Sequence, residues 1–259
     1  PLLAGSAGIA GARVQLENVL GRTRAVLKKN GWGARIATID SEVDPQAVHD
    51  AIDEGRMRSL GPIATLTHED VDAAVRIVGQ IGPEPYIAAL EQGADIILGG
   101  RACDTSPFVA LPMVRGFDVG LAYHMAKVIE CVSLAAVPGG RDCIMGTLER
   151  DQFTLESQNP MRKCTPLSIA AHSLYEQPNP YFMVEPGGTL DTREAEYIAL
   201  DDRIVAVRGS RWHEAEQYTI KLEGVRRTGH RYFCIAGARD PGVIQNLPAI
   251  EATVRATID

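Results

Sequence analysis
The chain has 259 residues, of which 45% are hydrophobic and 23% charged, with a formal net charge of −7. That acidic balance argues against a nucleic-acid partner, and no apolar run approaches the roughly 18–20 residues that span a bilayer. Cys103, Cys131, Cys143, Cys164 and Cys234 are scattered, odd in number and without a Cys-x-x-Cys pair, which speaks against a disulfide framework or zinc ribbon and for a cytoplasmic protein.

The opening "PLLAGSAG" reads as a strand that starts without a methionine, so an earlier segment is expected before it. A helix pattern follows to Asn30, then the strand "ARIATID". "DPQAVHDAIDEG" reads as a helix with Asp44 as N-cap and Pro45 at its first position. "THEDVDAAVRIVGQ" starts as a helix capped by Thr67 with Asp70 as capping-box partner, and "DIILGG" is the next strand. Alternation of this kind predicts an α/β fold with a parallel Rossmann-like layer over residues 1–140. "FDVGLAYHMAKVIECVSLAA" reads as one long helix closed by "VPGG".

From about residue 141 the texture changes to an α+β part with antiparallel hairpins, expected to run to 259. Its strands are read in "CIMGTLERDQFTLE", "RIVAVRGSRW", "QYTIKLEGV" and "HRYFCIAG", with a helix in "CTPLSIAAHSLYE" capped by Thr165. "DPGVIQNLPAIEATVRATI" reads as a closing helix capped by Asp240, with Pro248 predicting a kink or break.

In parallel sheets ligands sit beyond the carboxyl ends of strands, which directs attention to "GSAGIAGA" and "GGRACDTSPF". Gly5, Ser6 and Gly8 precede a helix start, where backbone amides suit a phosphate or carboxylate; a tight structural turn is the alternative. The spacing is neither the dinucleotide fingerprint nor a P-loop, so no NAD or FAD is expected. Gly100 allows a sharp turn after the strand, Arg101 offers a planar fork for an anion, and Asp104 orients that fork or serves as a base. The same pair could equally staple the loop.

His124 and Lys127 lie one helical turn apart, with Cys131 further along that face and Glu130 at its margin, a spacing suited to proton transfer or to a hydrogen-bonded structural histidine. Ser168, His172 and Glu176 form a helix stripe too spread for a catalytic triad, so a stabilising or substrate-orienting role is expected. Lys221 and Glu223 share a strand face. Arg239 and Asp240 repeat the Arg–Asp loop after a second apolar run. A hydrolase using Cys131 or Ser168 is a further option.

Taken together, "GSAGIAGA", "GADIILGGRACDTSPF", "HMAKVIECVSLAAVPGG", "CTPLSIAAHSLYE", "PNPYFMVEPGG" and "YTIKLEGVRRTGHRYFCIAGARDP" resemble the acyclic terpene utilisation family, AtuA, in its shorter branch. The resemblance covers nearly the whole chain. It implies a role in the breakdown of acyclic terpenes such as citronellol, a pathway run through CoA thioesters. Its polar signatures fall at Gly100, Arg101 and Asp104; at His124, Glu130 and Cys131; at His172, Tyr175 and Glu176; at Lys221, Glu223 and Gly224; and at Arg239 and Asp240. Longer members carry a ferredoxin-like C-terminal domain, for which a small companion subunit would substitute here. Two departures separate this chain from the pattern: the strand-rich segment that precedes "PLLAGSAG" in members is absent, and the insertion before the helix of His124 is shorter than in AtuA itself.

The resulting expectation is an enzyme of the hydratase, lyase or isomerase class acting on a small carboxylate or acyl-CoA. His124, Lys127, Glu130, Lys221 and Glu223 would carry the proton chemistry. Gly5, Ser6, Gly8, Gly100, Arg101, Asp104, His172, Arg239 and Asp240 would bind substrate. A divalent metal is compatible but not required, a homo-oligomer is expected, and neither nucleic acid nor membrane is. The rival from another class is a non-catalytic scaffold or binding subunit of a multi-subunit catabolic enzyme.

Overall fold
The computed structural model describes residues 1–140, 143–175, 178–231, 233, 235 and 237–258. They belong to two compact units, Pro1–Arg226 and Arg227–Asp259. The change of texture expected near residue 141 lies inside the first.

The first unit begins with β1 (Leu2–Ala4), α1 (Arg13–Asn30), β2 (Ile36–Ile39), α2 (Pro45–Asp53), α3 (His68–Ala73), β3 (Ala74–Gly79), α4 (Glu84–Glu91), β4 (Ile96–Gly99) and α5 (Ser106–Val114). β4 lies between β1 and β2 and runs parallel to both, with Ile97 opposite Leu3 and Ala37. Successive strand residues point to opposite faces. Ile97 therefore packs with Tyr86 of α4 and Ala110 of α5, while Leu98 packs with Leu16 of α1. Both faces of β4 are covered, which is why it reads as an unbroken apolar run.

The predicted caps form. The Asp44 side chain accepts from the Gln46 amide, and Thr67 and Asp70 close a reciprocal capping box on α3. The helix begun at Thr67 ends at Ala73, however, and the same segment continues as β3. There Val75, Ile77 and Val78 supply β-branched side chains, and pairing with a distant strand overrides the helical start.

The unit continues with α6 (Val119–Ile129), α7 (Val132–Ala135), β5 (Ala136–Val137), β6 (Ile144–Leu148), β7 (Phe153–Ser157), β8 (Lys163–Cys164), α8 (Pro166–His172), β9 (Phe182–Glu185), β10 (Gly188–Asp191), β11 (Glu196–Ala199), β12 (Ile204–Arg208), β13 (Arg211–Glu214) and β14 (Leu222–Arg226). The single long helix expected here is broken: Cys131 leaves helical conformation at φ −117°, ψ 53°, so the face carrying His124 and Lys127 does not run on to Cys131. α8 likewise stops at His172, and the stripe expected onward to Glu176 ends there; Glu176 itself lies outside the described residues.

Antiparallel pairing orders β11-β12-β7-β6 in one sheet and β13-β10-β9 in another, while β14 crosses back to pair with β3. β12 and β13 are adjacent in sequence yet join different sheets. Their α/β and antiparallel parts share the unit's largest apolar cluster, in which Leu121 and Met125 of α6 meet Phe153 and Leu155 of β7, Ile169 of α8 and Val205 and Val207 of β12.

In the second unit Asp240 caps α9 (Pro241–Gln245) by accepting from the Val243 amide. The closing helix divides at Asn246 into α9 and α10 (Leu247–Ile258), with Pro248 in the first turn of α10, where its missing N–H breaks no helical bond. The strand expected in "HRYFCIAG" does not form at Arg231, Phe233 or Ile235, while Tyr232, Cys234 and Ala236 lie outside the described residues.

Leu155 is fully buried where α6, α8, β7 and β12 meet. Leu155→Ala is expected to lower the unfolding free energy by about 3 kcal/mol through lost transfer energy and a residual cavity, read by urea denaturation.

Candidate functional site
The carboxyl end of β4 is built from two loops pressed together. The Gly99 and Gly100 carbonyls accept from the Ala7 and Ser6 amides at 3.0 and 2.9 Å, and the Arg101 amide donates to the Gly11 carbonyl at 3.0 Å. Gly11 has φ +67°, and a Cβ there would overlap the Arg101 amide nitrogen, so both the turn and the close approach require glycine. Ser6 and Ile9 also hold positive φ, 49° and 83°; for a β-branched residue this is a strained conformation of the sort that accompanies functional loops. Gly5 packs against Pro107 and Tyr86, and Gly8 against Gln15.

Two amides at the start of α1 are taken by the chain itself, the Ala12 N–H by Gln15 Oε1 at 2.9 Å and the Arg13 N–H by Glu42 Oε1 at 2.8 Å. The Glu42 carboxylate thus stands where a bound phosphate was expected.

Arg101 is the hub. Its guanidinium donates through Nε to Glu223 Oε2 at 2.7 Å, through Nη1 to Ser6 Oγ at 2.8 Å, and more weakly through Nη1 to Asp104 Oδ1 at 3.3 Å. β14 brings Glu223 there by pairing with β3, and Gln80 Nε2 and Lys221 Nζ reach the second oxygen, Oε1, at 2.8 and 3.1 Å. Burial pushes the Glu223 carboxyl up, but the hydrogen bonds and charges of Arg101 and Lys221 outweigh it and hold the group below its ordinary value. Ser6, Arg101, Asp104, Lys221 and Glu223, separated by up to 217 positions in sequence, therefore meet in one network.

The other side of the same loop is more deeply buried. Cys103 Sγ and Thr105 Oγ1 both donate to Glu185 Oε2, at 2.9 and 2.6 Å, and Glu185 at the end of β9 is only 7% exposed. Burial pushes both the Cys103 thiol and the Glu185 carboxyl up, so the thiol is a hydrogen-bond donor and not a thiolate. On α6, Lys127 Nζ contacts Glu130 Oε1 at 2.5 Å, and the two side chains are 15% and 8% exposed. Burial outweighs the attraction of Lys127 and raises the Glu130 carboxyl to about 7, while Lys127 remains charged. Among the described residues, Glu130 Oε2 has no hydrogen-bond partner. Asp104 joins the two sides, since its charge acts on Arg101 and on both Glu130 and Glu185.

The two histidines differ. His124 is fully enclosed, with Nδ1 at 2.6 Å from Ser210 Oγ and its ring edge-on to Phe153 and Tyr197. Burial lowers it to about 3, which keeps it neutral and gives it the character of a structural residue. His172, 3% exposed, lies against the Cys131 backbone and within electrostatic reach of Lys127. Ser168 completes the capping box of α8 and donates to the Ala135 carbonyl, a structural assignment. Asp240 acts as the cap of α9, and Arg239 is exposed in the second unit.

Glu185, Thr105 and Gln80 escaped the sequence reading. A usable signal existed for Glu185: it stands two positions after Met183, and both face the interior from β9. No three His, Cys, Asp or Glu side chains among the described residues form a metal-holding group. The Lys127 ammonium acts on Glu130 and Glu185, and Arg101 pairs with Asp104.

Residues 10–136 match the family model described as Acyclic terpene utilisation family protein AtuA, a segment that holds the Arg101 loop and the Lys127–Glu130 pair. No curated protein and no solved structure matches the chain. No helix among the described residues is long and apolar enough to cross a membrane.

Because the Glu130 carboxyl is raised in the folded state to about 7 from 4.5, its contribution to stability is present in full below the lower value and is lost as pH rises through the higher. Glu130→Gln removes that loss. Urea unfolding of the variant relative to the parent should therefore improve between about pH 4.5 and 7 and level off above, by up to a few kcal/mol at about 1.4 kcal/mol per pKa unit. A difference between the two proteins that does not change with pH would contradict the raised carboxyl.

Proposed function
Starting from the match of residues 10–136 to the acyclic terpene utilisation family, whose name assigns it a catabolic role, we propose that the chain is an enzyme of the hydratase, lyase or isomerase class. Its substrate is a small carboxylate or an acyl-CoA, and its chemistry is proton transfer. The reading is carried by one observation: a buried carboxyl, Glu130, with one oxygen on the Lys127 ammonium and the other unpartnered among the described residues, poised near neutrality. A group with those properties can take a proton from carbon and return it at physiological pH. Lys127 stabilises negative charge that develops on a neighbouring carbonyl oxygen as the proton leaves.

Arg101, Asp104, Ser6, Lys221 and Glu223 form the network at the end of β4, joined to Glu130 through the charge of Asp104, and His172 lies within electrostatic reach of Lys127. Here Arg101 is a positioning group, because its guanidinium is held by its own chain's acceptors. A small companion subunit, a homo-oligomeric assembly and a cytoplasmic setting belong to the same proposal. The saturation of Arg101 favours one alternative, a non-catalytic subunit in which the Arg101–Glu223 network only fastens loops together.

The test is thermal stabilisation and turnover of the full-length protein with a panel of CoA thioesters and free di- and tricarboxylates. One ligand class should raise the melting temperature of both parent and Glu130→Gln, while the variant loses about 100-fold or more in kcat. Stabilisation by no member of the panel, with no turnover, would favour the subunit reading.

A further inference from the structure
A separate group of side chains on α2 and α3 has no part in the site above. Each helix carries a His-x-x-x-Asp sequence, "HDAID" from His49 to Asp53 and "HEDVD" from His68 to Asp72. Val48 and Val71, 1% and 2% exposed, pack together with Ile77 and lock the two helices side by side. The pairing is then crossed. His49 Nε2 lies 3.1 Å from Asp72 Oδ1, and His68 Nε2 lies 3.1 Å from Asp53 Oδ1. The ring planes are nearly parallel, 13° apart with centroids 4.9 Å apart, and the rings meet edge to edge with the two Nδ1 atoms facing each other at 2.6 Å.

An ionised carboxylate only accepts, so each Nε2 donates to its aspartate, which leaves the two Nδ1 atoms turned toward each other. Two lone pairs at that distance repel unless a positive charge stands between them. Histidines that ligate metals almost always donate their second nitrogen to a carboxylate, and here both do. The setting is acidic as well: the helices contribute Asp50, Asp53, Glu69, Asp70 and Asp72 and contain no Lys or Arg.

We propose that His49 and His68 bind a divalent transition-metal ion of the zinc type through Nδ1, with Asp72 and Asp53 as the outer carboxylates that fix the rings. At Zn–N distances of about 2.0–2.1 Å, two tetrahedral ligands stand about 3.3 Å apart, so the pair must both open and turn its rings to aim the two lone pairs at the ion. Two protein ligands fall short of a closed site. The His49 and His68 side chains are 18% and 49% exposed, so solvent completes the coordination and the ion remains exchangeable. A proton shared between the rings is the competing occupant.

Isothermal titration of the full-length protein with Zn2+ near neutral pH separates the two. The parent is expected to bind one ion that is lost in His49→Ala and in His68→Ala. Asp72→Asn should weaken binding by about 10–100-fold while leaving both ligands in place. Circular dichroism of the variants checks that the fold is intact, and Glu130→Gln should bind Zn2+ as the parent does, which keeps this site independent of the proposed chemistry. The proposal is overturned if the parent binds no Zn2+ beyond what a His49→Ala/His68→Ala double variant binds, which would leave the shared proton as the occupant.

Discussion

The ion pair between Arg101 and Glu223 is the contact on which the arrangement of the first unit turns. It ties the loop after β4 to β14, and through Ser6 it also holds the loop after β1. These segments come from the beginning, the middle and the far end of the unit, so no local interaction could bring them together. Hydrogen bonds to charged groups contribute roughly 1.5–3 kcal/mol each, and Arg101 directs several of them at once. Its planar fork explains the choice of residue, because a lysine could not address Glu223 and Ser6 in fixed directions.

With that hub in place, the loop from Arg101 to Thr105 divides its side chains between two environments. Arg101 and Asp104 turn to a charged, partly solvated network, whereas Cys103 and Thr105 turn inward to Glu185. The same chain stretch thus borders a region where carboxylates stay ionised and a region where burial favours their protonated form. Glu223 and Glu130 are the two ends of that contrast, one held down by two cations and the other lifted by burial despite one. Carboxyls pushed apart in this way are the usual raw material of acid–base chemistry.

Acidic side chains do different work elsewhere in the fold. Glu42 closes the start of α1, and Asp44 and Asp240 cap helices. Asp53 and Asp72 fix histidine rings instead. Much of the negative charge counted in the composition is therefore committed to backbone amides or to specific partners, which a net charge cannot reveal.

Local physics settled much of this protein in its sequence. Asp44–Pro45, Thr67 with Asp70, Thr165–Pro166 and Asp240–Pro241 announce helix starts, because a cap needs only its own next few residues. The apolar run before Gly99 marks a strand covered on both faces, and the glycines after it mark a loop at the end of a sheet. Those signals gave the α/β class and pointed to Arg101 and Asp104. The break of α6 before Cys131, the conversion of Ala74–Gly79 to a strand and the arrival of Glu223 beside Arg101 were decided by tertiary structure. So were the contrast between His124 and Glu130 and the crossed pairing of His49 with Asp72 and His68 with Asp53. Each depends on which distant surface covers a side chain, and burial, which sets both packing and protonation, belongs to no residue until the chain has folded.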